Sequence, residues 1–228
     1  VGSDSSLHVV SYTEGFKAAV YHVRKAQAPT WSAAVTVEPK PRSGGFFPGP
    51  SPGLAVSAGG VVHVALCTGE NAIKHYQGSG AAFTATQIAA KVGDQCTSSL
   101  ALDEGGGVHV SYRDARTARI MYAGRLPGKS SFEAPVQLYQ GSLAAALGQS
   151  NHIAVDRNAD HVWVGFDSTF MLAMSAQLAH RAKGSWQSVS TADSGGRFIS
   201  LSVAPGGALH VAHHAQGASV LRHVRICP

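Results

Sequence analysis

The chain has 228 residues, only 14% of them charged, with 26 glycines and a formal net charge of +5. That length can bury a sizeable core as one domain, and so much glycine suits a chain with many tight turns. Its basic residues are scattered, with no basic run and no aromatic-basic stripe, which sets nucleic acid aside as a partner, and no apolar run approaches the ~20 residues of a membrane-spanning helix.

Short apolar runs rich in Val, Ile and Tyr, bounded by Gly, Pro and Asp, predict antiparallel strands along the whole chain. One signature recurs at Leu7-His8-Val9, Val62-His63-Val64, Val108-His109-Val110, Val162-Trp163-Val164 and Leu209-His210-Val211. Runs at 53–56, 99–102, 152–155 and 200–203 precede the last four of these across turns such as Asp103-Glu104-Gly105-Gly106-Gly107. Further runs follow at 19–23, 73–76, 119–123, 171–175 and 220–225, and then fourth strands expected to open on Trp31, Phe83, Phe132 and Trp186. No helical period is sustained; 143–147 has room for one helical turn.

A four-strand unit repeated at this spacing predicts an all-β, five-bladed β-propeller, with the first strand of each blade around a central channel. The blades run approximately over 1–48, 49–97, 98–150, 151–198 and 199–228, as a single domain. The first blade lacks a clear first strand and the last stops after its third. An incomplete closing blade therefore invites a partner, self-association, or derivation from a longer chain. The chain opens on Val1, not Met, which suggests a removed leader or an excised piece.

In a propeller the second-to-third-strand loops and the blade-to-blade loops share one face, called upper here. Acids gather in those loops: Glu14, Glu70, Asp114 and Asp167. Arg113, Arg116 and Arg197 lie near them. Phe46 and Phe47 sit in the long 38–52 loop, where an aromatic ring can stack on a sugar. A ring of acids and arginines with exposed aromatics fits a polyhydroxylated ligand. Tip acids also cap turns, and the Phe pair is equally suited to plugging a blade gap. A glycoside hydrolase would need two carboxylates ~5 Å or ~7–9 Å apart, whereas the inner strands read Leu-Ala-Val, Leu-Ala-Leu, Ile-Ala-Val and Leu-Ser-Val.

Four of the twelve histidines (His8, His63, His109 and His210) share one repeat position. His22, His75 and His223 are read as sharing another, with Tyr122 in the third blade. Residues that recur by blade pack blades together. A metal centre would draw on His210 with His223, or on His213 and His214. Zinc needs three or four converging ligands and strand neighbours supply two, so no metal or other cofactor is expected. Cys67 ends a second strand and Cys96 lies in the upper loop leaving the same blade, so a Cys67–Cys96 disulfide is expected, with Cys227 left over. A disulfide suits a secreted or extracellular protein. No P-loop, dinucleotide fingerprint or nucleophile elbow is present.

The run Val108-His109-Val110-Ser111-Tyr112-Arg113-Asp114-Ala115, then Ile120-Met121-Tyr122-Ala123, then the turn Gly128-Lys129-Ser130-Ser131-Phe132 resembles the sialidase-like (BNR-type) propeller repeats of secreted bacterial proteins. The turns keep only the end of the Asp-box, as in Gly184-Ser185-Trp186, and the sialidase arginine cluster has no counterpart in this sequence. Length and blade count are similar to those of five-bladed sugar-binding lectins. The resemblance implies a secreted propeller that binds carbohydrate or another small polar ligand through its upper face. The alternatives are a glycoside hydrolase or polysaccharide lyase using acids of that face, and a protein-interaction scaffold.

Overall fold

The computed structural model describes residues 2, 4–41, 52–141, 147–170, 173–187, 189–194, 196–205, 207–215 and 220–227. These residues form five antiparallel sheets in chain order. The first holds β1 (Leu7–Tyr12), β2 (Ala19–Arg24) and β3 (Val35–Glu38). The second holds β4 (Gly53–Val56), β5 (Val62–Cys67), β6 (Ile73–Gly78) and β7 (Phe83–Ala89). The third holds β8 (Ser98–Leu102), β9 (Val108–Asp114), β10 (Arg119–Arg125) and β11 (Val136–Gln140). The fourth holds β12 (Leu147–Val155), β13 (His161–Phe170), β14 (Ala173–Ala182), β15 (Ser185–Trp186) and β16 (Ser190–Ser194). The fifth holds β17 (Gly196–Val203), β18 (Leu209–Ala215) and β19 (Leu221–Ile226). A 3-10 turn at Glu14–Phe16 is the only helical element among the described residues.

Strand alternation explains how the sheets stack. Successive side chains point to opposite faces, and in β5 apolar side chains pack on both faces. Val62, Val64 and Leu66 of β5 pack with Tyr21 and Val37 of the first sheet. Ala65 and Cys67 of the same strand pack with Leu100, Val108 and Val110 of the third. The relation repeats between the third and fourth sheets, where Ile120 and Tyr122 meet Val162, Val164 and Phe166. It repeats again between the fourth and fifth, where Trp163 and Leu178 meet Leu209 and Val211. The core is therefore a series of layers between consecutive sheets, a β-propeller-like arrangement. A one-residue slip in any central strand would swap its two layers.

The strands β4, β8, β12 and β17 contact one another in turn, as the first strands of neighbouring blades should. The approach is close at Gly53, where an added Cβ would lie 2.6 Å from the Leu100 nitrogen. Hydrogen bonds lace this inner zone. Ile153 N donates to Ser99 Oγ (3.1 Å), and Leu201 N donates to His152 Nδ1 (3.2 Å).

Several sequence expectations need correction. Trp31 and Phe132 do not open fourth strands; β3 and β11 start at Val35 and Val136. The fourth-sheet third strand is not 171–175 but β14, a ten-residue strand paired with a ten-residue β13. Asp167 consequently lies inside a strand, opposite Ala176, and not in a loop tip. Arg197 also lies in a strand, β17, opposite His214. Long hairpins satisfy backbone groups that a loop would leave to water. Phe46, Phe47 and most of 143–147 lie outside the described residues. The disulfide between Cys67 and Cys96 is present, with Cα atoms 6.1 Å apart, and Cys227 is exposed and free.

Candidate functional site

Each sheet carries one ring pair on a shared diagonal. His8 Nδ1 bonds the Tyr21 hydroxyl (2.6 Å), and His109 Nδ1 bonds the Tyr122 hydroxyl (2.8 Å). His63 Nδ1 bonds His75 Nε2 (3.0 Å), His161 Nδ1 bonds His180 Nε2 (2.9 Å), and His210 Nδ1 bonds His223 Nε2 (2.9 Å). In every pair the partner sits two residues before the histidine's register mate on the adjacent strand. The first-sheet member of this set is Tyr21, not the expected His22. His22 is one residue off, so it faces the opposite way and reaches the Ser32 carbonyl at 3.3 Å. In the fourth sheet the pair has moved along the strands, because Trp163 occupies the repeat position and stacks on His180 at 3.5 Å.

These rings also join neighbouring sheets. Tyr21 meets Phe83 edge-on at 5.6 Å, His75 meets Phe132 at 5.4 Å, and Tyr122 meets Trp186 at 5.0 Å. The aromatics near the fourth strands are thus seats for the previous sheet's ring. In the second and third sheets burial disfavours the charged imidazole. His63 is pushed down to about 4 and His75 to about 3, with the Arg125 charge adding to the desolvation. Burial also holds His109 below its ordinary value, against the pull of Asp103. Neutral imidazoles suit hydrogen-bonded packing pairs. His210 and His223 turn their nitrogens on each other, and His213 is buried whereas His214 is exposed. No group of three or more His, Cys, Asp or Glu converges among the described residues.

The upper ends of β9 and β13 each carry a buried charged side chain. Arg113 ends the face of β9 that carries His109 and Ser111, turned toward the fourth sheet. It is only 6% exposed; its Nη1 donates to the Gln95 carbonyl at 3.3 Å, and its Nε has no hydrogen-bond partner among the described residues. Burial lowers its pKa, while the charges of Asp167 and Asp94 oppose the shift. Asp167, also 6% exposed, accepts from Ser150 N at 2.9 Å. A chain of bonds runs from β9 through β12 to Thr97: Ser111 Oγ donates to Asn151 Oδ1 (2.8 Å), and Asn151 Nδ2 donates to Thr97 Oγ1 (2.6 Å). A buried guanidinium and carboxylate on adjacent sheets offer both donors and acceptors to a polar ligand.

Glu14, Glu70, Asp114 and Arg116 do not join this cluster. Asp114 caps its own turn, accepting from Arg116 N (3.1 Å) and Thr117 N (3.3 Å). Glu70 pairs with Lys74 at 3.3 Å. Glu14 and Arg116 are exposed. Sequence reasoning missed Thr97 and Asn151, since neither stands in a motif. It also missed Glu38, a buried carboxylate that accepts from the Tyr76 hydroxyl and from Lys40 N (2.8 Å). At the opposite ends of the strands, grooves open between sheets. One of about 630 Å³ lies between the second and third, and one of about 400 Å³ between the first and second.

No protein-family model matches the chain, and no curated protein matches it in sequence. Solved structures do. The chain is similar to a polysaccharide lyase of family PL25, an ulvan lyase bound to -[GlcA(1-4)Rha3S]-, with a TM-score of 0.70 and 13% identity over 99% of this chain and 67% of that one. It is similar to the Hadza microbial sialidase Hz136, with a TM-score of 0.58 and 12% identity over 92% of this chain and 52% of that one. It is also similar to AofleA from Arthrobotrys oligospora, with a TM-score of 0.59 and 12% identity over 96% of this chain and 68% of that one. At these identities the likeness is one of fold, and the chain spans half to two thirds of each neighbour.

Proposed function

We propose that the five sheets are propeller blades and that the protein is an extracellular carbohydrate-binding propeller. Its ligand lies over the upper ends of β9 and β13, against Arg113 and Asp167. The observation that carries this reading is the Arg113–Asp167 neighbourhood itself: two oppositely charged, nearly buried groups of adjacent sheets, whose surroundings leave Arg113 Nε unbonded. Burying such charges is costly unless they are used or satisfied. The fold likeness to carbohydrate-active proteins and the disulfide support the ligand class and the location.

A second reading is a polysaccharide lyase or glycoside hydrolase at the same cluster, favoured by the fold likeness to the ulvan lyase. One experiment separates the two. The protein is screened on a glycan array, and each bound glycan is then incubated with it while ultraviolet absorbance and reducing ends are followed. Binding without new ends, lost in Arg113→Met and Asp167→Asn, supports the binding module. Release of unsaturated or reducing ends supports the enzyme. Silence on every glycan overturns both.

A further inference from the structure

The groove between the second and third sheets differs from its neighbours in charge. It is lined by His63, Gln77, Arg125, Lys129, Ser57 and Ser130, among others, and no carboxylate of the described residues lines it. The corresponding groove between the first and second sheets holds Lys25 but also Asp4. Between the third and fourth sheets, Asp103 holds His109 Nε2 at 3.0 Å.

The reason is a single position. The residue after the inner strand caps the following turn in three sheets. Asp103 Oδ1 accepts from Gly107 N (2.8 Å), and Asp156 Oδ1 accepts from His161 N (3.1 Å). In the second sheet Ser57 Oγ accepts from Val61 N at 3.1 Å. Ser57 does the backbone work of those aspartates without their charge.

The cation opposite is fixed in place. Arg125 Nη2 donates to Gln77 Oε1 at 2.8 Å, and the guanidinium lies over the Phe132 ring at 5.5 Å. Among the described residues, no carboxylate forms an ion pair with Arg125 or Lys129. Guanidinium stays charged at neutral pH and suits planar oxyanions. The volume of about 630 Å³ is in the range of sites for whole small molecules rather than bare ions.

We infer that this groove is a binding site for an anionic saccharide, whose carboxylate or sulfate group is held by Arg125 with Gln77, Ser130 and His63 around it, and that Ser57 in place of aspartate is what admits the negative charge. The site lies at the opposite strand ends from Arg113 and Asp167 and stands apart from the reading given for them.

The test is calorimetric titration with sodium sulfate, sodium glucuronate, a sulfated disaccharide and its unsulfated, neutral counterpart. The expected result is binding of the glucuronate and the sulfated disaccharide, weakened by salt, with no binding of the neutral sugar. Ser57→Asp, which keeps the turn cap, and Arg125→Met are each expected to weaken binding about tenfold or more. Lys183→Met, at an exposed cation outside both sites, should leave it unchanged, which ties the effect to this groove. Circular dichroism melting of each variant reports whether it folds. Wild-type affinity in both folded groove variants, or no anion bound at all, would overturn the site. Inorganic sulfate binding as tightly as the charged sugars would overturn the saccharide as its occupant.

Discussion

The Tyr122 hydroxyl lies 2.8 Å from His109 Nδ1, and both side chains are almost wholly buried between the third and fourth sheets. The same imidazole reaches Asp103 through Nε2, so the carboxylate, imidazole and phenol form one line from turn to core. Burial keeps the phenol neutral, with its pKa pushed up to about 12. Tyr122→Phe keeps the ring against Trp186 and deletes the hydroxyl partner. A buried imidazole nitrogen left unsatisfied costs about 1–3 kcal/mol. Melting should fall by ~2–4 °C per kcal/mol for a chain of this size, read by differential scanning calorimetry. An unchanged midpoint would mean that water replaces the hydroxyl.

Stability should fall in mild acid. His63 and His75 have folded-state values of about 4 and about 3, below the ~6.5 of an unfolded chain. Between those values the unfolded state binds more protons, so stability rises with pH across that window. The contribution is complete above pH ~6.5 and is lost as pH falls toward 4. Urea midpoints at pH 7.5, 6.0 and 5.0 should decline in order. His75→Tyr installs the pair found in the first and third sheets and should flatten the slope, whatever it does at pH 7.5. A wild-type midpoint independent of pH would contradict the buried neutral pair.

Gly53 is where β4 and β8 come closest. An added Cβ would meet the Leu100 nitrogen at 2.6 Å and the Leu100 Cβ at 2.9 Å. Backbone cannot swing aside as a flexible side chain can, so Gly53→Ala must push the inner strands β4 and β8 away from each other. Overpacking of this kind costs about 1–3 kcal/mol. Gly60, with nothing within 4 Å of its added Cβ but a φ of +77°, is a useful contrast. Its replacement strains only its own turn, and urea denaturation should rank Gly53→Ala as the more damaging.

The disulfide closes a loop with a sequence separation of 29 between Cys67 and Cys96. Loop-closure entropy for that length amounts to about 3–4 kcal/mol. Both sulfurs sit within the layer between the second and third sheets. Reductant, or the pair Cys67→Ala with Cys96→Ala, should lower the urea midpoint and loosen 68–95 in hydrogen exchange before other regions. Cys227→Ser, at an exposed free thiol, should leave the midpoint where it is.

The strand-forming runs, the turns and the recurrence of Val-His-Val were legible in the sequence, because alternation with period two and Gly-rich turns are local properties. They determined that the chain is all-β and antiparallel. The position of Cys67 and Cys96 in adjoining segments also sufficed to pair them. Local pattern could not set the ends of the fourth-sheet hairpin, where ten-residue strands absorbed Asp167 and left it buried. Nor could it tell Tyr21 from His22, since which of two adjacent residues faces the neighbouring sheet depends on register. Only the tertiary structure decided which charges lie together. Arg113 and Asp167 are 54 positions apart in sequence, and Arg125 reaches Gln77 across a sheet boundary. Electrostatic neighbourhoods are properties of distance and burial, and both are created when one sheet packs on the next.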